Sequence, residues 1–151
     1  MTGLDTNVVV RFLTQDDPDQ AARATALFAD LTQERPGYLC REVMVEMVWV
    51  LERAYGLSRP DIAGAIDGLL SAQEIVVEAA DCVGIAAERY RQGGAGFSDH
   101  MIALAAHDAG CSETVSFDRK AVAQAGMKAV PERFYSSSRS VAGFFVMSTS
   151  A

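Results

Sequence analysis

Short apolar runs alternate along this chain with longer stretches in which apolar residues recur every three or four positions, and that alternation sets the expected order of strands and helices. The first run ends at Leu4, meets Asp5-Thr6-Asn7, and resumes as Val8-Val9-Val10. It reads as a short buried strand ending at Asp5, followed by a helical turn or two over 8–13. Asp16-Asp17-Pro18-Asp19-Gln20 restarts a helix with acids and a proline at its N-terminus, and Leu27, Phe28 and Leu31 carry it to about Gln33. Pro36-Gly37 breaks it, Tyr38-Leu39-Cys40 predicts a second strand, and a strongly apolar helix over about 42–55 ends at Gly56. Ser58-Arg59-Pro60-Asp61 has the Ser-x-x-Asp form of a capping box and opens a fourth helix with Ile62, Ile66, Leu69 and Leu70 on one face. Ile75-Val76-Val77 predicts a third strand, and Asp81 caps a helix to about Arg91. Gly93-Gly94-Ala95-Gly96 reads as a flexible loop, Ser98 as the cap of a helix ending at Gly110, and 114–117 as a fourth strand. A short helix over 121–125 and an edge strand at Ala129-Val130 complete the pattern, which is that of an α/β sandwich with a mainly parallel sheet.

Composition then narrows the classes. With 151 residues, 50% of them hydrophobic and 22% charged, one soluble domain is expected, without a membrane span or a secretion signal, and hence a cytoplasmic location. Cys40, Cys82 and Cys111 are odd in number and have no paired metal spacing, so reduced, mostly buried thiols are expected. A net charge of -7 argues against broad affinity for nucleic acid, which rests on Lys and Arg neutralising phosphates; nucleic-acid chemistry here needs cations or a basic partner. The segment 136–151 is rich in Ser and small residues, which points to disorder, while Phe144-Phe145 points to docking on something apolar.

Four acids carry the candidate chemistry. In an open parallel sheet the carboxyl ends of the strands face a ligand-binding crevice, and both Asp5 and Asp118 end predicted strands. Each also stands where an acid can simply cap the next helix. Glu46 lies inside Val43-Met44-Val45-Glu46-Met47-Val48-Trp49, where a carboxylate is expected to be buried and to need a partner: a buried arginine or a shared site. Glu42 is one turn earlier on the same face and is also explained as a first-turn acid. Asp99 opens an almost wholly apolar helix, and there too the helix dipole is sufficient reason for an acid. One site shared by Asp5, Glu46, Asp99 and Asp118 accounts for all four at once, because converging carboxylates repel unless a cation binds, and hard oxygen ligands suit Mg²⁺ or Mn²⁺.

Leu4-Asp5-Thr6-Asn7-Val8, Glu46 before Trp49-Val50-Leu51, Phe97-Ser98-Asp99 and Ser116-Phe117-Asp118-Arg119 resemble, in order and spacing, the motifs of PIN-domain ribonucleases, and within them the VapC-type toxins of bacterial toxin–antitoxin pairs. The resemblance spans about 4–134, so a nuclease domain over 1–135 and a separate tail over 136–151 are expected. It implies a three-layer sandwich with strand order 3-2-1-4-5, a homodimer, an inhibitory antitoxin and RNA as substrate. It implies also that Asp5, Glu46, Asp99 and Asp118 form the catalytic, metal-holding quartet, supported by Thr6, Asn7 and Ser116. Asp5 and Asp118 would be direct ligands, Asp99 a ligand or its support, and Glu46 a ligand or the base that orients water. The family often has Thr where Ser116 stands and Ala where Ser98 stands. His100 is assigned packing or surface rather than catalysis. Phosphodiester hydrolysis assisted by one or two Mg²⁺ ions is the chemistry such a set supports.

Two other classes compete. An aspartyl-phosphate enzyme also places an acid after its first strand, but a haloacid-dehalogenase-type site wants a second acid where Asn7 stands, and 75–78 lacks the phosphoacceptor Asp of a receiver domain. A catalytically degenerate binding module would act only through a protein partner. For partners, Trp49, Leu51 and Tyr55 on the third helix and Ile62, Ile66 and Leu69 on the fourth are at helical spacing, which reads first as core and leaves a groove open as the alternative; the resemblance to the toxin family implies an antitoxin helix in such a groove.

Overall fold

The structure, a computed structural model, describes residues 1–132. β1 (Thr2–Gly3) passes through buried Leu4 to Asp5, the N-cap of α1 (Thr6–Thr14). A tight corner through Gln15, in the left-handed region at φ 55°, leads to α2 (Pro18–Ala29). Asp17 caps α2 by accepting the Gln20 N–H at 2.9 Å, and proline at the first position sacrifices no intrahelical bond. α2 stops short of Gln33 because Thr32 and Arg35 bond each other's backbone in a turn, with Thr32 Oγ1 also accepting the Arg35 N–H at 3.1 Å.

β2 (Gly37–Leu39) feeds α3 (Arg41–Arg53), and α4 (Arg59–Ser71) follows. Ser58 caps α4 as its Ser-x-x-Asp pattern requires, accepting the Asp61 N–H at 3.3 Å and donating to the Asp61 carboxylate at 2.6 Å. β3 (Ile75–Val77) leads to α5 (Ala80–Arg91), and α6 (Phe97–Asp108), β4 (Val115–Ser116), α7 (Arg119–Gln124) and β5 (Lys128–Ala129) complete the described chain. Two caps differ from expectation. α5 starts from Ala79 at φ 52°, with Asp81 inside its first turn, and α6 starts from Gly96, with Ser98 inside its first turn. In both cases the polar residue lies two positions too late to reach the unpaired N–H groups from outside the helix.

Among the described residues the strand pairs are all parallel, so the fold is α/β with crossover helices, as expected. β2 is central between β1 and β3, and β4 pairs with β5. Among the described residues no ladder joins β1 to β4, and Thr2, Gly3 and Val115 are exposed there. The order 3-2-1 and the order 4-5 are therefore present as two ladders. The larger ladder carries the main core, in which Leu39, Met44, Met47, Leu51, Ile62, Ile66, Tyr90 and Phe97 are almost wholly buried. Gly37, at the start of β2, is closely covered: a Cβ there would lie 2.8 Å from Leu4 Cδ1 and 2.9 Å from Leu31 Cδ1, so those side-chain ends would have to shift. The smaller ladder has a second core of Ala95, Ala121, Ala125 and Met127.

The glycine-rich segment before α6 is pinned. Arg59 donates to the Ala95 carbonyl at 2.9 Å, the Gly94 carbonyl at 3.0 Å and the Tyr90 carbonyl at 3.3 Å, and its guanidinium lies 4.6 Å from the centre of the Tyr90 ring. Five orienting donors in a rigid fork let one arginine satisfy several loop carbonyls at once. The cysteines are less buried than expected: Cys40 and Cys82 are half-buried and Cys111 is exposed. Among the described residues no helix is long and apolar enough to cross a membrane. The domain limit at 135 and the tail 136–151 fall outside the described residues.

Candidate active site

Asp5 and Asp118 occupy the same local position, N-cap of the helix that follows a strand, yet use their carboxylates differently. Asp5 accepts the Val8 and Val9 N–H groups through its backbone carbonyl, and its side chain makes no capping bond. Among the described residues its exposed carboxylate meets only the Asn7 amide, at 3.4 Å, longer than the usual N–H···O range. Asp118 Oδ1 accepts the Lys120 N–H at 2.7 Å and the Ala121 N–H at 3.0 Å. Those bonds, the one from Ala121 foremost, hold the Asp118 carboxyl below the usual carboxylate range. Ser116 Oγ accepts the Asp118 N–H at 3.0 Å and so fixes the backbone of this acid from the preceding strand.

Glu46 is not buried. Val43, Met44, Met47, Val48 and Leu51 take the inward face of α3, while Glu42, Glu46 and Trp49, at helical spacing, are exposed together on the outward one. The expected buried charge is thus an exposed carboxylate, and its partner is a hydroxyl, not an arginine. Thr6, only 4% exposed, donates to Glu46 Oε2 at 2.7 Å across 40 positions of sequence. This bond joins the start of α1 to the middle of α3 and places Asp5, Thr6, Asn7 and Glu46 at one locality. Glu42 behaves as a first-turn acid, its carboxyl lowered chiefly by its own backbone N–H and then by Cys40.

Asp99 Oδ2 accepts the Gly96 N–H at 2.9 Å, which closes the start of α6 from inside. His100 beside it is 2% exposed with both ring nitrogens unbonded, and burial pushes its pKa down. Of the two readings open from sequence, packing or surface, its burial places it in the packed interior. Asp99 and Asp118 therefore each commit one oxygen to a helix start and keep the other without a protein hydrogen bond among the described residues. The donors fit a hard divalent ion by type, since all are carboxylate oxygens. Among the described residues, however, no three His, Cys, Asp or Glu side chains gather closely enough to enclose an ion. The structure brings Glu46 to the Asp5 end of α1; it leaves Asp99 and Asp118 on their own helix starts.

A groove of about 720 Å³ runs between α3 and α6, lined by Glu42, Val45, Glu46, Trp49, Ser98 and Ile102 among others. The residues expected to line a groove between α3 and α4 go elsewhere: Leu51, Ile62, Ile66 and Leu69 are buried together in the main core, and Tyr55 turns to the α1–α2 corner, donating to Asp16 at 2.7 Å. Leu51 is two residues from Trp49, about 200° around a helix, so one faces in and the other out. Trp49 is 61% exposed and Ile102 55%. The Arg59 clamp and the α6 wall of this groove were not anticipated from sequence; the only prior sign was an apolar α6 with no polar face.

The sequence profile of the PIN domain family matches residues 4–126. The VapC ribonuclease of Aquifex aeolicus (strain VF5) is 28% identical over 118 residues, covering 78% of this chain and 87% of the relative. No solved structure matches the chain at a significant level.

Proposed function

The chain belongs to the PIN domain family, and from that membership we propose that it is a divalent-metal-dependent ribonuclease, the toxin of a toxin–antitoxin pair acting in the cytoplasm. The observation that carries the reading is local: Asp5 stands at a helix start with its carboxylate making no bond to a helix N–H, and buried Thr6 beside it holds Glu46 at 2.7 Å. A protein that needed only caps would direct the Asp5 carboxylate at N–H groups, as Asp118 does. Mg²⁺ or Mn²⁺ would be held by Asp5 and Asp118, with Asp99 and Glu46 as further ligands or their support. Such an ion, when bound, lowers the pKa of a water and offsets charge developing on the phosphate. With Thr6 holding Oε2, Glu46 keeps Oε1 to orient the attacking water and take its proton. Asn7 restrains Asp5, and Ser116 restrains Asp118. We place the substrate phosphodiester at the locality of Asp5, Thr6, Asn7 and Glu46, and an antitoxin in the α3–α6 groove, with the toxin itself a homodimer.

The test is hydrolysis of mixed cellular RNA with Mg²⁺, beside Asp5→Asn and Glu46→Gln, and calorimetric titration of Mn²⁺ into the wild type and Asp118→Asn. Cleavage lost in both active-site variants, with Mn²⁺ affinity falling in Asp118→Asn, is the expected outcome. One observation favours a second reading, an acidic binding module without catalysis: the four acids do not enclose an ion-sized space among the described residues. Absence of Mg²⁺-dependent cleavage together with retained capture of a protein partner would select it.

A further inference from the structure

α1 and α2 lie side by side, and the slot between them, about 410 Å³, is lined by Asn7, Val8, Arg11, Gln20, Arg23 and Leu27 along with Ala24. It opens at the candidate active site, because Asn7 is the residue whose amide contacts the Asp5 carboxylate. Its walls are fixed in advance. Phe12 on α1 and Phe28 on α2 stack at 4.0 Å with planes 7° apart. Arg11 is held by Asp16 at 2.7 Å, by Gln20 at 2.8 Å and by the Tyr55 hydroxyl at 3.0 Å. A slot ordered before its ligand arrives loses less conformational freedom on binding.

The two arginines differ in what they have left to offer. Asp16 offsets the charge of Arg11, and its N–H groups are aimed at protein acceptors. Arg23, one element away on the same slot, is exposed and has neither an ion pair nor a hydrogen bond among the described residues. In a chain of net charge -7, an arginine that makes no ion pair among the described residues, on a slot that leads to an acidic site, calls for an anionic ligand. The slot also has an apolar floor in Val8 and Leu27 and amide groups in Asn7 and Gln20, the combination a nucleotide presents in reverse: an anionic phosphate, polar edges and an apolar ring face.

We infer that the α1–α2 slot holds the nucleotide next to the scissile phosphate, with the Arg23 guanidinium forked onto its phosphate oxygens. This rests on the ribonuclease reading and adds a positioning site to it. Contacts of this kind fix register on the strand and carry no base specificity.

The experiment is fluorescence anisotropy with a short fluorescein-labelled single-stranded RNA of mixed sequence, in EDTA so that binding is read without turnover, over a series of NaCl concentrations. Arg23→Ala is expected to bind roughly tenfold more weakly. Its plot of log affinity against log salt should flatten by about 0.7, the loss of one phosphate contact on a single strand. Arg23→Lys should keep the wild-type slope, and Arg35→Ala, an exposed arginine away from the slot, should bind as wild type. An unchanged Tm in Arg23→Ala separates the effect from unfolding. If the wild type binds and Arg23→Ala binds equally with the same slope, the slot is overturned while the ribonuclease reading stands. If the wild type cleaves cellular RNA with Mg²⁺ but does not bind the probe in EDTA, the slot is overturned as well. Neither binding nor cleavage overturns both. Loss of affinity for a protein partner in Arg23→Ala, with RNA binding unaffected, reassigns the slot to protein and also overturns the inference.

Discussion

Asp5 and Asp118 have the same neighbours in sequence terms, an apolar strand before and a helix after, and only the structure tells which carboxylate is occupied. The difference is measurable. Asp118→Ala removes two bonds to backbone N–H groups and should lower Tm, whereas Asp5→Ala removes none to a helix N–H and should leave Tm nearly unchanged. Because the folded Asp118 carboxyl titrates below its ordinary value of 3.8, its contribution is complete above that value and is lost as pH falls through the lowered one. The stability gap between wild type and Asp118→Ala should therefore close in acid. A gap that persists at low pH would mean the two N–H bonds are not what the carboxylate contributes. His100 gives a second pH signature of the same sign. Burial first, then Arg89, push its pKa below 6.5; Asp99 pulls the other way by less than either, and Arg59 adds the least. Folding is therefore favoured by the neutral ring, with the contribution full above 6.5 and lost as pH falls through the lowered value. Urea unfolding of His100→Leu should show a flatter pH dependence in that window than the wild type, with stability near neutrality equal or higher because two unbonded ring nitrogens leave the core.

At the scale of elements, α3 and α4 were legible because Val43, Met47 and Leu51, and Ile62, Ile66 and Leu69, repeat at helical spacing, and periodicity survives any error at the ends. The caps were less so. Ser58 was readable because its own Asp61 answers it, while Ser98 and Asp81 had the right chemistry two positions too late, and Gly96 and Ala79 carry no side-chain signal at all. The inward placement assigned to Glu46 failed for a related reason: an apolar window says that a helix is buried on one side, and only the phase, fixed here by Met44 and Met47, says which side Glu46 takes. The Arg59 clamp was illegible because it joins the first residue of α4 to carbonyls more than 30 positions away. Arg59→Met should cost about 2 kcal/mol or more in urea unfolding, since charged donors to several carbonyls are lost at once. Amide exchange at Gly93, Gly94 and Gly96 should accelerate by more than at Ile62 or Ile66. Uniform acceleration across the protein would show that Arg59 stabilises the fold without organising the approach to α6.

At the scale of the molecule, two faces meet at Glu46. On one side Thr6 ties it to the Asp5 end of α1; on the other it stands in the α3–α6 groove beside Glu42, Val45 and Trp49. A partner that fills the groove therefore reaches the site without touching the RNA slot between α1 and α2. Glu42, Glu46 and Glu52 line a groove whose apolar surface includes Val45, Val48, Trp49 and Ile102, so the complementary ligand is an amphipathic helix with apolar anchors and basic residues. An arginine on it could pair with Glu46 in a two-pronged bond and take the place of cationic charge at the site. Trp49 is the side chain whose removal should matter most, because a large exposed aromatic on a groove wall is the common form of an interface anchor. The expected result is that the isolated protein scatters light as more than a monomer, and that a small co-encoded partner with a basic segment suppresses its ribonuclease activity. Trp49→Ala should weaken that capture by roughly 30-fold or more, and Asp5→Asn, outside the groove, should weaken it less than Glu46→Gln. A monomer in light scattering would remove the homodimer. A pull-down in which Trp49→Ala and Glu46→Gln retain the partner as well as wild type would remove the groove and the arginine together.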